Sequence, residues 1–114
     1  MKLLTKEQRE KMLKNGIRQT EDEHYDPKPV VKFFTPDGSA TWLLTELDPE
    51  DNDIAFGLCD LGMGSPELGS VRISEITSAR GPLGLPIERD RHFIADKPLS
   101  AYAEQARTDQ CIRV

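Results

Sequence analysis

Four short runs in the middle of the chain are rich in apolar, β-branched and aromatic side chains, and polar turn residues separate them. The runs span residues 30–34, 41–45, 54–61 and 68–73. This length and composition are typical of β-strands. The turn at residues 36–38 holds a proline, which presets φ, and a glycine, which accepts a positive φ. Because short turns join strands that run in opposite directions, the pattern predicts a four-stranded antiparallel meander.

Three further segments carry helical signals. Residues 5–8 (TKEQ) fit a capping box, in which the first and last side chains each accept a hydrogen bond from the backbone of the other. They predict an N-terminal helix within residues 1–17, with Asn15-Gly16 as its left-handed stop. Residues 74–78 suit one short helical turn, and residues 99–107 suit a C-terminal helix. We expect the two terminal helices to cover the same face of the sheet.

The length of the chain fits a single α+β domain over residues 1–114. Residues 18–29 are polar, acidic and rich in proline, which favours an acidic, mobile linker. Residues 30–107 then form the sheet-plus-helix core, and residues 108–114 are expected to be a frayed tail. Within the core, residues 81–86 hold two prolines and two glycines, which excludes a helix and predicts a long irregular Gly/Pro loop.

Charge is unevenly distributed along the chain. The 20 acidic and 15 basic residues give a net charge of -5. Residues 1–18 hold six basic and two acidic side chains, whereas residues 19–60 hold two basic and eleven acidic ones. This asymmetry predicts two electrostatically distinct faces, and a merely solubilising surface is the simpler alternative.

The hydropathy of the chain argues against a membrane helix and against a secretory signal. The mean hydropathy is -0.54, and no apolar run reaches the roughly 18 residues of a membrane helix. The first residues lack the apolar stretch of a secretory signal. We therefore expect a cytoplasmic protein that does not enter a membrane.

The chain has few residues of the types that bind metals or cofactors. Cys59 and Cys111 form no CxxC motif, and neither His24 nor His92 has metal-ligand spacing to the other or to a cysteine. The sequence also contains no phosphate-binding glycine motif and no GxSxG motif. We predict two free thiols, no metal site and no cofactor.

The first candidate site is the acidic loop at residues 46–53, which Asp26 and the acidic residues 21–23 can extend. Its five carboxylates belong to Glu46, Asp48, Glu50, Asp51 and Asp53. The loop lacks the glycine and the terminal glutamate of an EF-hand, so we predict no calcium site. Closely spaced carboxylates can imitate a row of DNA phosphates and attract a basic protein in a fast, salt-sensitive association. A solvated acidic loop is the alternative.

The second candidate site is a possible pocket at the Gly/Pro segment and the charged residues after it. Its members are Arg80, Glu88, Arg89, Asp90 and His92. A carboxylate near a histidine is the minimum for general acid–base catalysis, and an arginine can clamp a phosphate or a carboxylate. The alternative is structural, with the arginines paired to nearby carboxylates so that they hold the loop against the sheet.

Several stretches of the chain also carry a family resemblance. They are residues 3–7, 32–36, Trp42, 45–46, 56–57, 66–69 and, above all, RGPLGLPIERD at 80–90. On these residues the chain resembles a bacterial family catalogued as domain of unknown function number 2958, over roughly residues 1–106. The resemblance implies an association with plasmids, integrative conjugative elements and phages. It supplies no catalytic residues, since the family has no established activity.

Three functions from different classes follow. We favour a small, acidic, non-catalytic accessory protein of mobile genetic elements that binds a basic protein partner, such as a host defence nuclease or a DNA-processing factor. A small hydrolase or transferase with a site at Arg80–His92 is the alternative. The third is weak nucleic-acid binding through the basic N-terminal helix, which the net charge argues against. We expect a monomer, or a weak homodimer if the strand at 54–61 lies at an edge of the sheet.

Overall fold

Five antiparallel strands and three helices make up the computed structural model, which describes residues 2–114. The strands are β1 (Val31–Phe34), β2 (Thr41–Leu47), β3 (Ile54–Asp60), β4 (Glu67–Arg72) and β5 (Glu88–Arg89). The helices are α1 (Lys6–Glu21), α2 (Ile73–Ser78) and α3 (Leu99–Asp109). The fold class is therefore α+β, as the sequence predicts.

The sheet has the strand order β4-β3-β2-β1-β5. Strands β1 to β4 form the predicted meander, but the expected number of four strands is wrong. Phe33 and Phe34 of β1 pair with Arg89 and Glu88, which adds β5 beyond β1. The strand considered as an edge, β3, lies inside the sheet with β2 and β4 on its two sides, and the edge strands are β4 and β5.

Two apolar cores lie on opposite faces of the sheet. Alternation along β2 places Trp42 and Leu44 in a core with Met12 of α1. It places Leu43 in a second core with Tyr102 of α3. The expectation that both terminal helices cover the same face is therefore wrong. Both faces of β2 are apolar, and each face needs a helix to exclude water.

Helix α1 begins with the predicted capping box and continues past its predicted end. The backbone N–H of Gln8 donates to Thr5 Oγ1 (3.1 Å), and the backbone N–H of Thr5 donates to Gln8 Oε1 (3.0 Å). The helix ends at Glu21 rather than at residue 17. The first four residues of the predicted linker at 18–29 therefore belong to α1.

Asn15 and Gly16, predicted as the helix stop, are buried inside α1 against β2. Asn15 Nδ2 donates to the backbone oxygen of Thr45 (2.8 Å). A Cβ on Gly16 would lie 1.9 Å from the backbone oxygen of Leu47. Glycine is therefore required here for close helix–strand packing and not for a left-handed turn.

The rest of the predicted mobile linker is tied to the helices on either side of it. The Tyr25 hydroxyl donates to Asn15 Oδ1 (2.8 Å), and the Arg18 guanidinium lies 4.5 Å from the Tyr25 ring centre. The backbone N–H of Leu99 donates to the backbone oxygen of Pro27 (3.0 Å). These contacts with α1 and α3 correct the assignment of a mobile linker.

Residues 80–86 form a hydrogen-bonded turn closed by a β-bridge between its first and last residues, and not a long irregular loop. Asp37 Oδ2, from the turn between β1 and β2, accepts hydrogen bonds from the backbone N–H groups of Leu83 (2.7 Å) and Leu85 (3.2 Å). A Cβ on Gly81 would overlap Asp37 Oδ1. The glycine therefore lets this carboxylate organise the turn.

The C-terminal residues 108–114 are also anchored, which corrects the expectation of a frayed tail. The buried carboxylate of Asp60 accepts a hydrogen bond from the backbone N–H of Ile112 (2.9 Å). Lys32 Nζ donates to the backbone oxygen of Val114 (3.0 Å). The first residues of the segment also complete α3, which ends at Asp109.

Candidate functional site

The five carboxylates of the acidic loop do not point to one common surface. Arg72 NH1 lies 3.2 Å from Asp51 Oδ2 and 3.6 Å from Asp53 Oδ2. Asp53 also accepts hydrogen bonds from Ser74 Oγ (2.6 Å) and from the Ser74 backbone N–H (2.9 Å) at the start of α2. These hydrogen bonds from Ser74, followed by Arg72, lower the pKa of the Asp53 carboxyl. Asp51 and Asp53 therefore fix the loop to β4 and α2.

The remaining loop carboxylates have no basic partner within the described chain. Asp48 Oδ1 accepts a hydrogen bond from the backbone N–H of Glu50 (2.8 Å), which is an Asx turn. Glu50 itself is exposed, and Asp48 and Glu46 are partly buried. Among residues 2–114, no lysine, arginine or histidine forms an ion pair with any of these three side chains. No ion pair within the described residues therefore offsets their charges.

A β-bulge at Thr45 determines where Glu46 lies. Leu44 pairs with Gly57 and Glu46 pairs with Phe56, so Thr45 has no partner residue in β3. The extra residue shifts the alternation, and Glu46 lies on the same face of the sheet as Phe56. Burial, followed by the nearby charge of Asp48, raises the pKa of the Glu46 carboxyl, and a hydrogen bond with Thr45 opposes this shift.

Glu46 and Phe56 line an open cavity of about 450 Å³. The cavity lies between the last turns of α1, residues 25–27, the start of α3 and strands β2 to β4. Its larger apolar residues are Pro27, Pro49, Ile54, Phe56, Leu68 and Leu99. Its acidic residues are Asp26, Glu46 and Asp48. No basic side chain is among the residues that line it.

Asp26 connects the former linker to this cavity. Its carboxylate accepts hydrogen bonds from the backbone N–H of Ser100 (3.1 Å) and from the Ser100 hydroxyl. Asp26 thus joins Glu46 and Asp48 at the cavity, whereas the acidic residues 21–23 do not line it. The apolar walls at Phe56 and Leu68 were missed, because their strand pattern alone does not distinguish a cavity wall from core.

The second candidate set is not brought together as a whole. Arg80 NH1 donates to the backbone oxygens of Ala79 (2.7 Å) and Thr77 (3.2 Å), at the end of α2. The other four members line a separate open cavity of about 370 Å³ without Arg80. Arg89 NH1 in turn donates to the backbone oxygen of Leu3 (2.6 Å). Both arginines therefore hold backbone segments in place.

Asp90 is the best-connected carboxylate of this second set. The backbone N–H of His92 donates to Asp90 Oδ1 (2.9 Å), and Lys32 Nζ lies 3.5 Å from Asp90 Oδ2. The His92 hydrogen bond is the main cause that lowers the pKa of the Asp90 carboxyl, and Lys32 acts in the same direction. A lowered pKa makes a carboxylate a weaker base. Glu88 is exposed.

The cysteines and other ligand-type residues add no further site. Cys59 and Cys111 are both free thiols, and burial raises the pKa of Cys59 to about 11. Within residues 2–114, no three histidine, cysteine or acidic side chains are placed to hold a metal ion. Over the same residues, every helix is too short or too polar to cross a membrane.

The structure is thus a small α+β fold with an open cavity whose lining combines acidic and apolar side chains. The chain belongs to the family described as protein of unknown function (DUF2958), whose family model matches residues 3–113. This match confirms the resemblance noted from the sequence. No curated protein and no solved structure gives a significant match.

Proposed function

We propose that this protein is a non-catalytic accessory protein of mobile genetic elements that binds a basic protein partner through Glu46, Asp48 and Glu50. The observation that carries the proposal is that these three neighbouring carboxylates have no basic partner within the described chain. Proteins that bind or cleave DNA carry basic surfaces. A host defence nuclease or a DNA-processing factor is therefore the class of partner that this surface suits.

The proposed surface is narrower than the five-carboxylate loop. Arg72 forms ion pairs with both Asp51 and Asp53 and offsets one of their two negative charges, so a basic partner would gain less from them than from unpaired carboxylates. Asp26, beside the same cavity, adds a fourth carboxylate to the surface. Attraction between opposite charges on two protein surfaces mainly accelerates their association, and added salt weakens this attraction.

The other two functions have weaker support. Arg80 donates to carbonyl groups at the end of α2 and does not line the cavity that contains His92. On the basic helix α1, Arg9 NH1 lies 3.4 Å from the backbone oxygen of Asn52, to which it donates. Neither arrangement points to a substrate or to a nucleic acid.

The test uses a fluorescein-labelled peptide of alternating lysine and serine as a defined basic probe. Fluorescence anisotropy measures the binding of this peptide to the protein. The triple variant Glu46→Gln, Asp48→Asn and Glu50→Gln removes the proposed surface charge. The matched control, Glu10→Gln, Glu75→Gln and Glu104→Gln, removes the same charge from exposed positions on the three helices.

We expect the first triple variant to bind at least about tenfold more weakly and the control to lose less than about threefold, because close charges dominate in screened solvent. Binding of the original protein should also weaken as salt is added. Equal losses in the two triple variants would show that only net charge matters, and would contradict the proposed surface.

A further inference from the structure

We infer that the cavity beside Glu46 accepts one lysine or arginine side chain of the partner, with its aliphatic part against Phe56 and Leu68 and its cationic end at the carboxylates. The inference rests on the proposed function and names the anchor of that interface. It is carried by the shape and lining of the cavity as well as by its charge.

The apolar part of the lining matches the stem of a long basic side chain. Phe56 is partly buried, and Leu68, on the edge strand, is 48% exposed although it is a large apolar residue. Lysine and arginine cover such surface with their methylene groups while the charged end stays in a polar environment. A cavity of about 450 Å³ also lies in the range that holds small ligands.

The polar part of the lining matches the charged end. Glu46, Asp48 and Asp26 are on the lining, and no residue of the lining is basic. No lysine, arginine or histidine among residues 2–114 forms an ion pair with Glu46, whose carboxyl pKa is raised by burial and then by the charge of Asp48. The Coulombic attraction between two opposite charges is stronger where they are partly removed from water than at an open surface. A partner cation therefore supplies the charge that the cavity lacks.

The decisive variant supplies that cation from the protein itself. In Leu68→Lys, the new ammonium group can reach the cavity from its own wall, and a lysine is well tolerated on an edge strand. The matched control is Leu61→Lys, which makes the same change in net charge. Leu61 is also exposed (59%) and lies outside the cavity lining. Thermal unfolding of both variants checks that they fold.

The lysine–serine peptide serves again as the probe, and n-butylammonium chloride serves as a competitor on the unmodified protein. We expect Leu68→Lys to weaken peptide binding at least about tenfold and Leu61→Lys less than about twofold. We also expect n-butylammonium to displace the peptide more effectively than sodium chloride at equal ionic strength. The competition result stands even if Leu68→Lys does not fold.

The outcomes separate this inference from the proposed function. If the peptide binds the original protein, but both lysine variants weaken it equally and n-butylammonium acts only as a salt, the anchor is wrong and the surface proposal survives. If the original protein binds no peptide even at low salt, both are wrong. The protein could instead self-associate without binding the peptide. If Leu68→Lys abolished that self-association, the occupant of the cavity would be a second copy of the chain, and the inference would be overturned.

Discussion

Gly16→Ala is the substitution for which the structure and the local sequence predict opposite effects. In the interior of a helix, alanine is more favourable than glycine by about 1 kcal/mol. Gly16 is inside α1, and from helix propensity alone the variant would be more stable. The new Cβ, however, would lie 1.9 Å from the backbone oxygen of Leu47 in β2.

The cost of the new methyl group can be worked from this geometry. A carbon atom normally approaches a carbonyl oxygen to about 3.3 Å, so α1 would have to move away from β2 by about 1.4 Å. Overpacking of this kind costs about 1–3 kcal/mol. The movement would also weaken the hydrogen bond from Asn15 to Thr45, which contributes about 1 kcal/mol. After the gain in helix propensity, we expect a net loss of about 1–3 kcal/mol.

Urea unfolding followed by far-UV circular dichroism measures this loss. Lys14 is exposed in the same helix, so the pair Lys14→Ala and Lys14→Gly gives the local propensity without a packing clash. There we expect the alanine variant to be the more stable one by about 1 kcal/mol. A Gly16→Ala protein that is more stable than the original would refute the close packing of α1 on β2.

Three further predictions concern the carboxylates. Asp37→Ala should lower the free energy of unfolding by about 1–3 kcal/mol and speed hydrogen exchange at Leu83, since Asp37 accepts the hydrogen bond from that N–H; unchanged exchange would count against this contact. Asp60→Ala should release the C-terminal tail, so that heteronuclear NMR relaxation shows a mobile Ile112; a rigid tail would contradict the anchor. Glu46→Gln should raise the free energy of unfolding at neutral pH by about 0.5 kcal/mol or less. Burial raises the folded-state pKa of Glu46 above its ordinary value of 4.5, so ionisation costs stability as the pH rises through the folded-state value. The advantage of the variant should disappear below the ordinary value, and an advantage that persists in acid would show another cause.

The parts of the fold that local sequence determines were predicted correctly. The capping box at Thr5 fixed the start of α1, and β-branched runs with turn residues between them fixed β1 to β4. Each of these signals acts within a few neighbouring residues. Asn15-Gly16 was misread because the same two residues suit a helix end or a close contact, and only the position of β2 decides between them.

The remaining features depend on residues that are distant in sequence. Strand β5 has only two residues and exists because β1 pairs with it. The tail is ordered by Asp60, whose partner Ile112 follows it by 52 positions. In the acidic loop, the bulge at Thr45 places Glu46 at the cavity, whereas the ion pairs of Arg72 give Asp51 and Asp53 a structural role, which divides the loop. No local pattern reveals that division.

The most direct test of the proposed binding surface is an NMR titration of the isotope-labelled protein with the lysine–serine peptide, monitored through the backbone amide signals. We predict saturable shifts that are largest around the cavity, at residues 46–49, 54–56, 68–70 and 99–100, and that decrease with added salt. Shifts that never saturate, or that are largest at residues 80–92, would contradict the account.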